Sequence, residues 1–258
     1  MTSLWGKTLL LAVALISPMA LAGQCRATSA SHAVALIELY TSEGCDSCPP
    51  ADRWLSGLEL DTGGDGAVAL AFHVDYWDRL GWKDRFASAA FTQRQYEQAK
   101  RRRSDLVYTP QVLLQGRDFD AWRNGAPAAP IAAINTQPAR ASIALSVENA
   151  AAGTVAVDLQ ARVPEARDRA HAAIAIALTQ SGLVSEVKAG ENAGKRLAHD
   201  NVVRAWEAGI PLGPAGELRR SIRWSLPQER GPLAIVALVE DTASGEVLQA
   251  LALPLCAP

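Results

Sequence analysis

The chain lacks any surplus of charge, and it is sparing with cysteine and with long apolar runs. Its formal net charge is −2 over 258 residues. That is too small to hold nucleic acid or an anionic membrane surface. Past the N-terminus no stretch reaches 18 uninterrupted apolar residues, so no membrane span is expected. No internal repeat is visible, which excludes a solenoid or an array. Only four cysteines are present, Cys25, Cys45, Cys48 and Cys256. They include a single Cys-x-x-Cys pair, two of the four ligands that a closed structural zinc site needs. What is plentiful is apolar sequence: 49% of residues are hydrophobic and 20% charged, enough to build a sizeable core.

The N-terminus reads as an export signal. Lys7 supplies a basic start, residues 8–16 form an apolar stretch too short to span a bilayer, and Ala20-Leu21-Ala22 resembles a cleavage site. Residues 1–22 are therefore read as a signal peptide cleaved near Ala22, leaving a periplasmic or secreted protein. Such a compartment permits disulfides. Four cysteines allow three pairings. Pairing Cys45 with Cys48 locally leaves Cys25 with Cys256, a bridge between the ends of the mature chain; the alternative is two free thiols.

Two periodicities divide the mature chain. Residues 33–40 and 67–74 are apolar strands, residues 49–60 and 87–103 read as helices, and 112–115 begins another strand. Strand–helix–strand order implies a mainly parallel α/β layer over residues 23–135. From residue 136 the pattern turns to period two. Strands are expected at 142–147, 154–163, 172–179, 182–188, 218–226, 233–240 and 246–253, as in an all-β, immunoglobulin-like sandwich domain reaching residue 258. The run Lys100-Arg101-Arg102-Arg103 reads as the solvated C-terminus of a helix, where cations oppose the dipole.

Chemistry concentrates at Cys45-Asp46-Ser47-Cys48, where an apolar strand meets a helix start. Exposed amides there favour a thiolate, so Cys45 is expected to attack and the more buried Cys48 to resolve, with Asp46 opposing the thiolate by its charge. Three further elements join them. Glu38, inside the apolar strand, is a candidate acceptor for the Cys48 proton. Thr109-Pro110 precedes an apolar strand, and in thioredoxin-like folds such a proline is cis and shapes the substrate edge. His73 and Asp75 alternate onto one face at the end of the second strand, a candidate proton carrier and its orienter, with Tyr76 and Trp77 as an apolar wall. Cys45, Cys48 and His73 also make a candidate copper set, which is the runner-up to redox exchange. A third reading is a binding module with a frozen Cys45–Cys48 disulfide.

Several motifs stand in one order: Glu38-Leu39-Tyr40-Thr41-Ser42-Glu43-Gly44-Cys45-Asp46-Ser47-Cys48-Pro49-Pro50-Ala51-Asp52, His73-Val74-Asp75-Tyr76-Trp77-Asp78, Gly81-Trp82-Lys83-Asp84, Tyr108-Thr109-Pro110-Gln111, Gly190-Glu191-Asn192 and His199-Asp200-Asn201-Val202-Val203-Arg204. This set resembles the secreted bacterial family known as domain of unknown function 1223. The resemblance implies an α/β thioredoxin-like domain, with a central mixed sheet flanked by helices, and an exported protein. It supplies no substrate. One departure from thioredoxin stands out: Glu43-Gly44, with no tryptophan, precedes Cys45. The expectation is an exported thiol–disulfide oxidoreductase with a protein thiol or disulfide as partner and no organic cofactor, electrons travelling on the sulfurs. The β-rich half would hold or select that partner.

Overall fold

A computed structural model describes residues 24–58, 66–124, 128–149 and 153–256. The signal-peptide reading, on residues 1–22, and the end of the expected 49–60 helix lie outside them.

In the first half, β1 (Gln24–Thr28) is followed by β2 (Ala35–Thr41), α1 (Pro49–Ser56), β3 (Ala67–His73), α2 (Ala89–Arg101), β4 (Gln111–Leu114), β5 (Arg117–Asp118) and α3 (Ala128–Asn135). The second half contains β6 (Ser142–Asn149), β7 (Thr154–Arg162), α4 (Ala166–Arg169), β8 (Ala172–Gln180), β9 (Leu183–Glu186) and β10 (Arg196–His199). It continues with β11 (Val202–Pro211), β12 (Glu217–Ser225), β13 (Leu233–Asp241) and β14 (Val247–Pro254). Among the described residues no helix is long and apolar enough to cross a membrane.

The expected fold class is overturned. The chain is mostly β, and no helix-flanked thioredoxin-like α/β domain precedes a separate sandwich. One eight-stranded sheet runs through both halves in the order β14-β13-β8-β11-β3-β2-β4-β5. β2 and β3 pair in parallel, from Ala35 opposite Ala67 to Thr41 opposite His73. The outer edge of β3 is not left free: β11 joins it in parallel at Val202–Ala71 and pairs antiparallel with β8 on its other side. An unpaired apolar edge is costly, and a strand from the second half removes it. Strand periodicity shows which residues face inward but not which strand becomes the neighbour, so the sequence reading divided what the sheet unites.

A smaller sheet, β1-β6-β7-β12, completes a β-sandwich against the β8–β13–β14 half of the large sheet. Leu145, Val157, Ile174, Ile176, Ile235 and Leu253 meet between them. Beyond that sandwich the same face of the large sheet carries α1, with Leu55 packed on Ile37, Leu39 and Ala69. The opposite face carries α2, with Phe91 on Phe72. Cys25 on β1 is joined by a disulfide to Cys256, just past β14, with the Cα atoms 5.9 Å apart.

α2 also buries charge. Arg94 is fully enclosed and its guanidinium lies 2.6 Å from Glu38 of β2 and 3.2 Å from Glu240 of β13. Arg101 reaches the other oxygen of Glu240 at 3.0 Å, and Arg102 lies 3.3 Å from Asp118. The basic run read as solvated thus turns inward in part. Burial pushes the Glu38 carboxyl up against a single guanidinium, whereas two guanidiniums hold Glu240 low despite its burial. The cluster ties a first-half strand to a second-half strand through one helix.

Candidate functional site

The site forms where parallel β2 and β3 both end, the edge at which open sheets leave room for ligands and catalytic loops. After Thr41 the chain turns through Ser42, whose side chain accepts the Gly44 N–H at 3.1 Å. Cys48 then caps α1, with Pro49 and Pro50 in the first turn, where a missing N–H costs nothing. Cys45 and Cys48 form a disulfide with Cα atoms 5.4 Å apart. Asp46 and Ser47 between them are exposed, yet both cysteines are 0% exposed. The expected contrast between an accessible Cys45 and a buried Cys48 is absent: both sulfurs are enclosed.

Glu38 does not lie behind the disulfide. Successive strand residues face opposite sides, and Glu38 falls on the α2 side with Leu36 and Tyr40, facing Arg94. α1 lies on the other side, with Ile37 and Leu39. His73 and Asp75 also part company, because β3 ends at His73. Asp75 turns to α2 and accepts the Thr92 hydroxyl at 2.6 Å.

His73 belongs instead to a buried cluster with Asp84 and His199. Its Nδ1 lies 2.7 Å from Asp84 Oδ2, which also accepts the Glu43 N–H at 2.9 Å. The His199 ring stands edge-on to His73 at 4.9 Å between centroids. His199 Nε2 is 3.4 Å from Glu43 Oε1, and its Nδ1 is 4.0 Å from Asp52 Oδ2 on α1. Glu43 Oε2 accepts the Trp82 indole N–H at 2.7 Å. Among the described residues His73 Nε2, Glu43 Oε1 and both His199 nitrogens find no hydrogen-bond partner. Among the described residues no group of three or more His, Cys, Asp or Glu side chains is arranged to hold a metal ion, the Cys45, Cys48 and His73 set included.

Electrostatics sort these groups. Burial alone would strip charge from His73, but the Asp84 carboxylate outweighs it and holds the imidazole above its ordinary value. Asp84 is likewise held low despite burial, by His73 and by the amides it accepts. Glu43 is held low against its burial by His199 and Trp82. Burial dominates at Asp52, raising its carboxyl in spite of the nearby imidazoles. The His73–Asp84 pair should make stability depend on pH. Its stabilisation is complete below the unfolded histidine value and is lost as pH rises through the higher folded value. At the acid end it is lost as pH falls through the lowered Asp84 value. Urea unfolding midpoints should therefore fall between about pH 6 and about pH 9 by more in the wild type than in His73→Gln. Equal pH profiles for the two proteins count against this pairing.

The Thr109–Pro110 peptide is cis and stands beside the same edge. Thr109 Oγ1 accepts the Trp77 indole N–H at 2.8 Å. Trp77 in turn packs on the cysteine loop: a Cβ added at Gly44 would stand 3.1 Å from the Trp77 Cβ. Tyr76 hydrogen-bonds Gln95 at 3.3 Å, and Gln95 donates to the Tyr108 carbonyl at 2.8 Å. Trp77 therefore links the loop at Gly44 to Thr109, while Tyr76 connects through Gln95 to Tyr108.

The second half closes the site from above. Asn192 donates to the Glu43 and Cys45 carbonyls, both at 2.8 Å, and Glu191 accepts the Asp46 N–H at 3.1 Å. His199, Asn192, Asp52 and Asp84 all stand in the ordered motifs of the sequence. Their signal was polarity inside otherwise apolar or loop sequence, and nothing local told which carbonyl or carboxylate each would meet.

The family model described as "Protein of unknown function (DUF1223)" matches residues 36–240. No curated protein matches this chain. The crystal structure of protein AGR_C_4864 from Agrobacterium tumefaciens is similar at 27% identity and a TM-score of 0.56, covering 87% of this chain and 96% of that one. The structure of HBP35 of Porphyromonas gingivalis is similar at 13% identity and a TM-score of 0.63, covering 88% of this chain and 76% of that one. The second likeness is one of fold alone.

Proposed function

The chain belongs to the DUF1223 family, and we propose that it is an exported thiol–disulfide oxidoreductase working through Cys45 and Cys48 on a partner protein. One observation carries this reading. The Cys45–Cys48 bridge spans a separation of three residues, against 231 for Cys25–Cys256. Disulfides stabilise by restricting the unfolded chain, and the restriction grows with loop length. The short bridge is worth about 2 kcal/mol on that account and the long one about 5 kcal/mol. A poor staple, placed at a helix start where a thiolate is favoured, is better suited to exchange than to bracing.

A partner thiolate attacks Cys45 Sγ. The S–S electron pair passes to Cys48 Sγ, which takes up a proton. The partner's second thiolate then attacks its own sulfur in the mixed disulfide and releases Cys45, which is protonated in turn. The protein gains two electrons and two protons, and the partner leaves as a disulfide; the reverse sequence reduces a partner. Asp52 stands one turn beyond Cys48 on α1, four residues on and so on the same helix face. With His199 behind it, Asp52 offers the buried proton exchange that Glu38 was expected to supply. The exported setting is proposed from the presence of two disulfides and the apolar N-terminal segment.

The test is to equilibrate the protein in graded glutathione buffers and count free thiols by alkylation and mass. Cys45–Cys48 should open while Cys25–Cys256 stays closed. A Cys45–Cys48 potential below about −300 mV identifies a structural bridge and ends this proposal.

A further inference from the structure

The disulfide proposed to react cannot be reached as it stands, since both cysteines are fully enclosed. What encloses Cys45 on its outer side comes from the far half of the chain. β9 and β10 form an antiparallel hairpin, and its connecting residues 187–195 arch over the cysteine loop. This connection is internally braced. The Val187 and Lys195 backbones bond at 3.0 Å, the Gly194 N–H reaches the Val187 carbonyl at 2.9 Å, and the Lys195 N–H reaches the Asn192 carbonyl at 3.0 Å. Gly190 takes a positive φ of 74° against Trp82, the residue that holds Glu43. At the base of the hairpin His199 approaches Glu43 and Asp52.

Asn192 is the keystone of this contact. It is 0% exposed. Its amide nitrogen donates both hydrogens, one to the Glu43 carbonyl and one to the Cys45 carbonyl, so the two bonds straddle Gly44. Its amide oxygen accepts from the Lys195 ammonium at 2.8 Å. Two carbonyls on one side and a cation on the other leave the amide a single orientation. Glu191, the preceding residue, accepts the Asp46 N–H. Side chains of one distant loop thus bond three backbone groups around Cys45: the Glu43 and Cys45 carbonyls and the Asp46 N–H.

We propose that residues 187–195 form a fitted cover on the Cys45–Cys48 disulfide, that Asn192 is the residue positioning Cys45 beneath it, and that the partner is an extended polypeptide segment which displaces the cover. The groups that must be replaced point to that class of partner. Removing Glu191 and Asn192 leaves the Glu43 carbonyl in need of a donor and the Asp46 N–H in need of an acceptor, and it takes from the Cys45 carbonyl the shorter of its two bonds, the Cys48 N–H remaining at 3.3 Å. An extended backbone edge carries alternating N–H and C=O groups and can meet that set, whereas a small thiol cannot. The cover rests on the exchange reading, and it goes further by naming the gate and the class of partner.

Opening of the disulfide can be followed in the full chain by rapid alkylation, with dithiothreitol at rising concentration as the probe. In the wild type the rate should level off, because the loop must lift before the sulfur is reached. In Asn192→Ala and Asn192→Asp the plateau should rise about tenfold or more, since each loses donor hydrogens to the two carbonyls. Asn192→Asp keeps the shape, so a rise there reports donation and not packing. A single-cysteine unstructured peptide should open the wild-type bridge faster than dithiothreitol at equal thiolate, and that advantage should shrink in the variants. Should the variants fail to fold, hydrogen exchange at the Asp46 N–H in the wild type replaces them, and its opening rate should equal the plateau. A wild-type rate that stays proportional to dithiothreitol throughout overturns the cover, as does a plateau unchanged in both variants. Gated opening together with a potential in the structural range keeps the cover and removes the oxidoreductase; ungated opening with an exchangeable potential does the reverse.

Discussion

Arg94→Leu is expected to lower the stability of the protein by about 3–5 kcal/mol, the cost of removing one member of a buried ionic set. The guanidinium sits between Glu38 and Glu240, both 1% exposed, and carries the charge that makes their burial tolerable. Arg101 still faces Glu240, so the larger penalty falls on Glu38, which must then take up a proton. Arg94 also lies 4.5 Å from the centre of the Trp206 ring, so its loss removes packing on β11 as well. Adding Glu38→Leu to Arg94→Leu should recover part of the loss, because the abandoned carboxylate is then gone. Urea unfolding of the three proteins decides the matter. A single-variant loss under about 1 kcal/mol means that the charges do not brace the two halves of the sheet.

Cys45→Ser is expected to remove exchange activity altogether, and Cys48→Ser to halt it after one event with the partner held on Cys45. The asymmetry comes from position: both cysteines are enclosed, but the Cys45 carbonyl lies under Asn192 of the 187–195 loop, whereas Cys48 caps α1. A disulfide-bearing protein serves as substrate: its reduction is followed with glutathione as the reductant, and, with glutathione left out, the Cys45 thiolate of Cys48→Ser attacks one substrate sulfur, releases the other as a thiol and stays in a mixed disulfide that is read by mass under non-reducing conditions. Turnover should fall about 1,000-fold or more in either variant, the scale on which loss of a nucleophile acts. If Cys48→Ser turned over at the wild-type rate, or if the trapped partner were found on Cys48, the assignment of roles would be wrong.

Much of the secondary structure was legible. The apolar runs at β2, β3, β8, β13 and β14 appear where the pattern placed them, because a strand buried on both faces has little choice but Val, Ile, Leu and Ala. β1, β10 and β11 were not read. β11 alternates poorly, with Arg204, Trp206 and Glu207 half-buried along it and register shifts against β8. Its Trp206 covers Phe72 and its Arg204 bonds Gln180, contacts invisible to a periodicity argument. Glu38 stands out in the sequence as a carboxylate inside an apolar strand. Its partner could not be foreseen, since Arg94 lies 56 residues away and Glu240 much further still.

The sequence by itself determined the local chemistry: a Cys-x-x-Cys pair at a strand-to-helix junction, prolines that start α1, and polar residues held in apolar surroundings. These depend on neighbours a few positions apart, and chain geometry settles them within a turn or a strand. Tertiary structure alone decided that the two halves share one sheet, that Glu38 pairs with Arg94 and not with the cysteines, and that Asn192 and His199 close over Cys45. Those outcomes arise from the need to satisfy an exposed strand edge and each buried charge or carbonyl. Such needs are stated by every residue locally and met only by partners that folding brings from elsewhere in the chain.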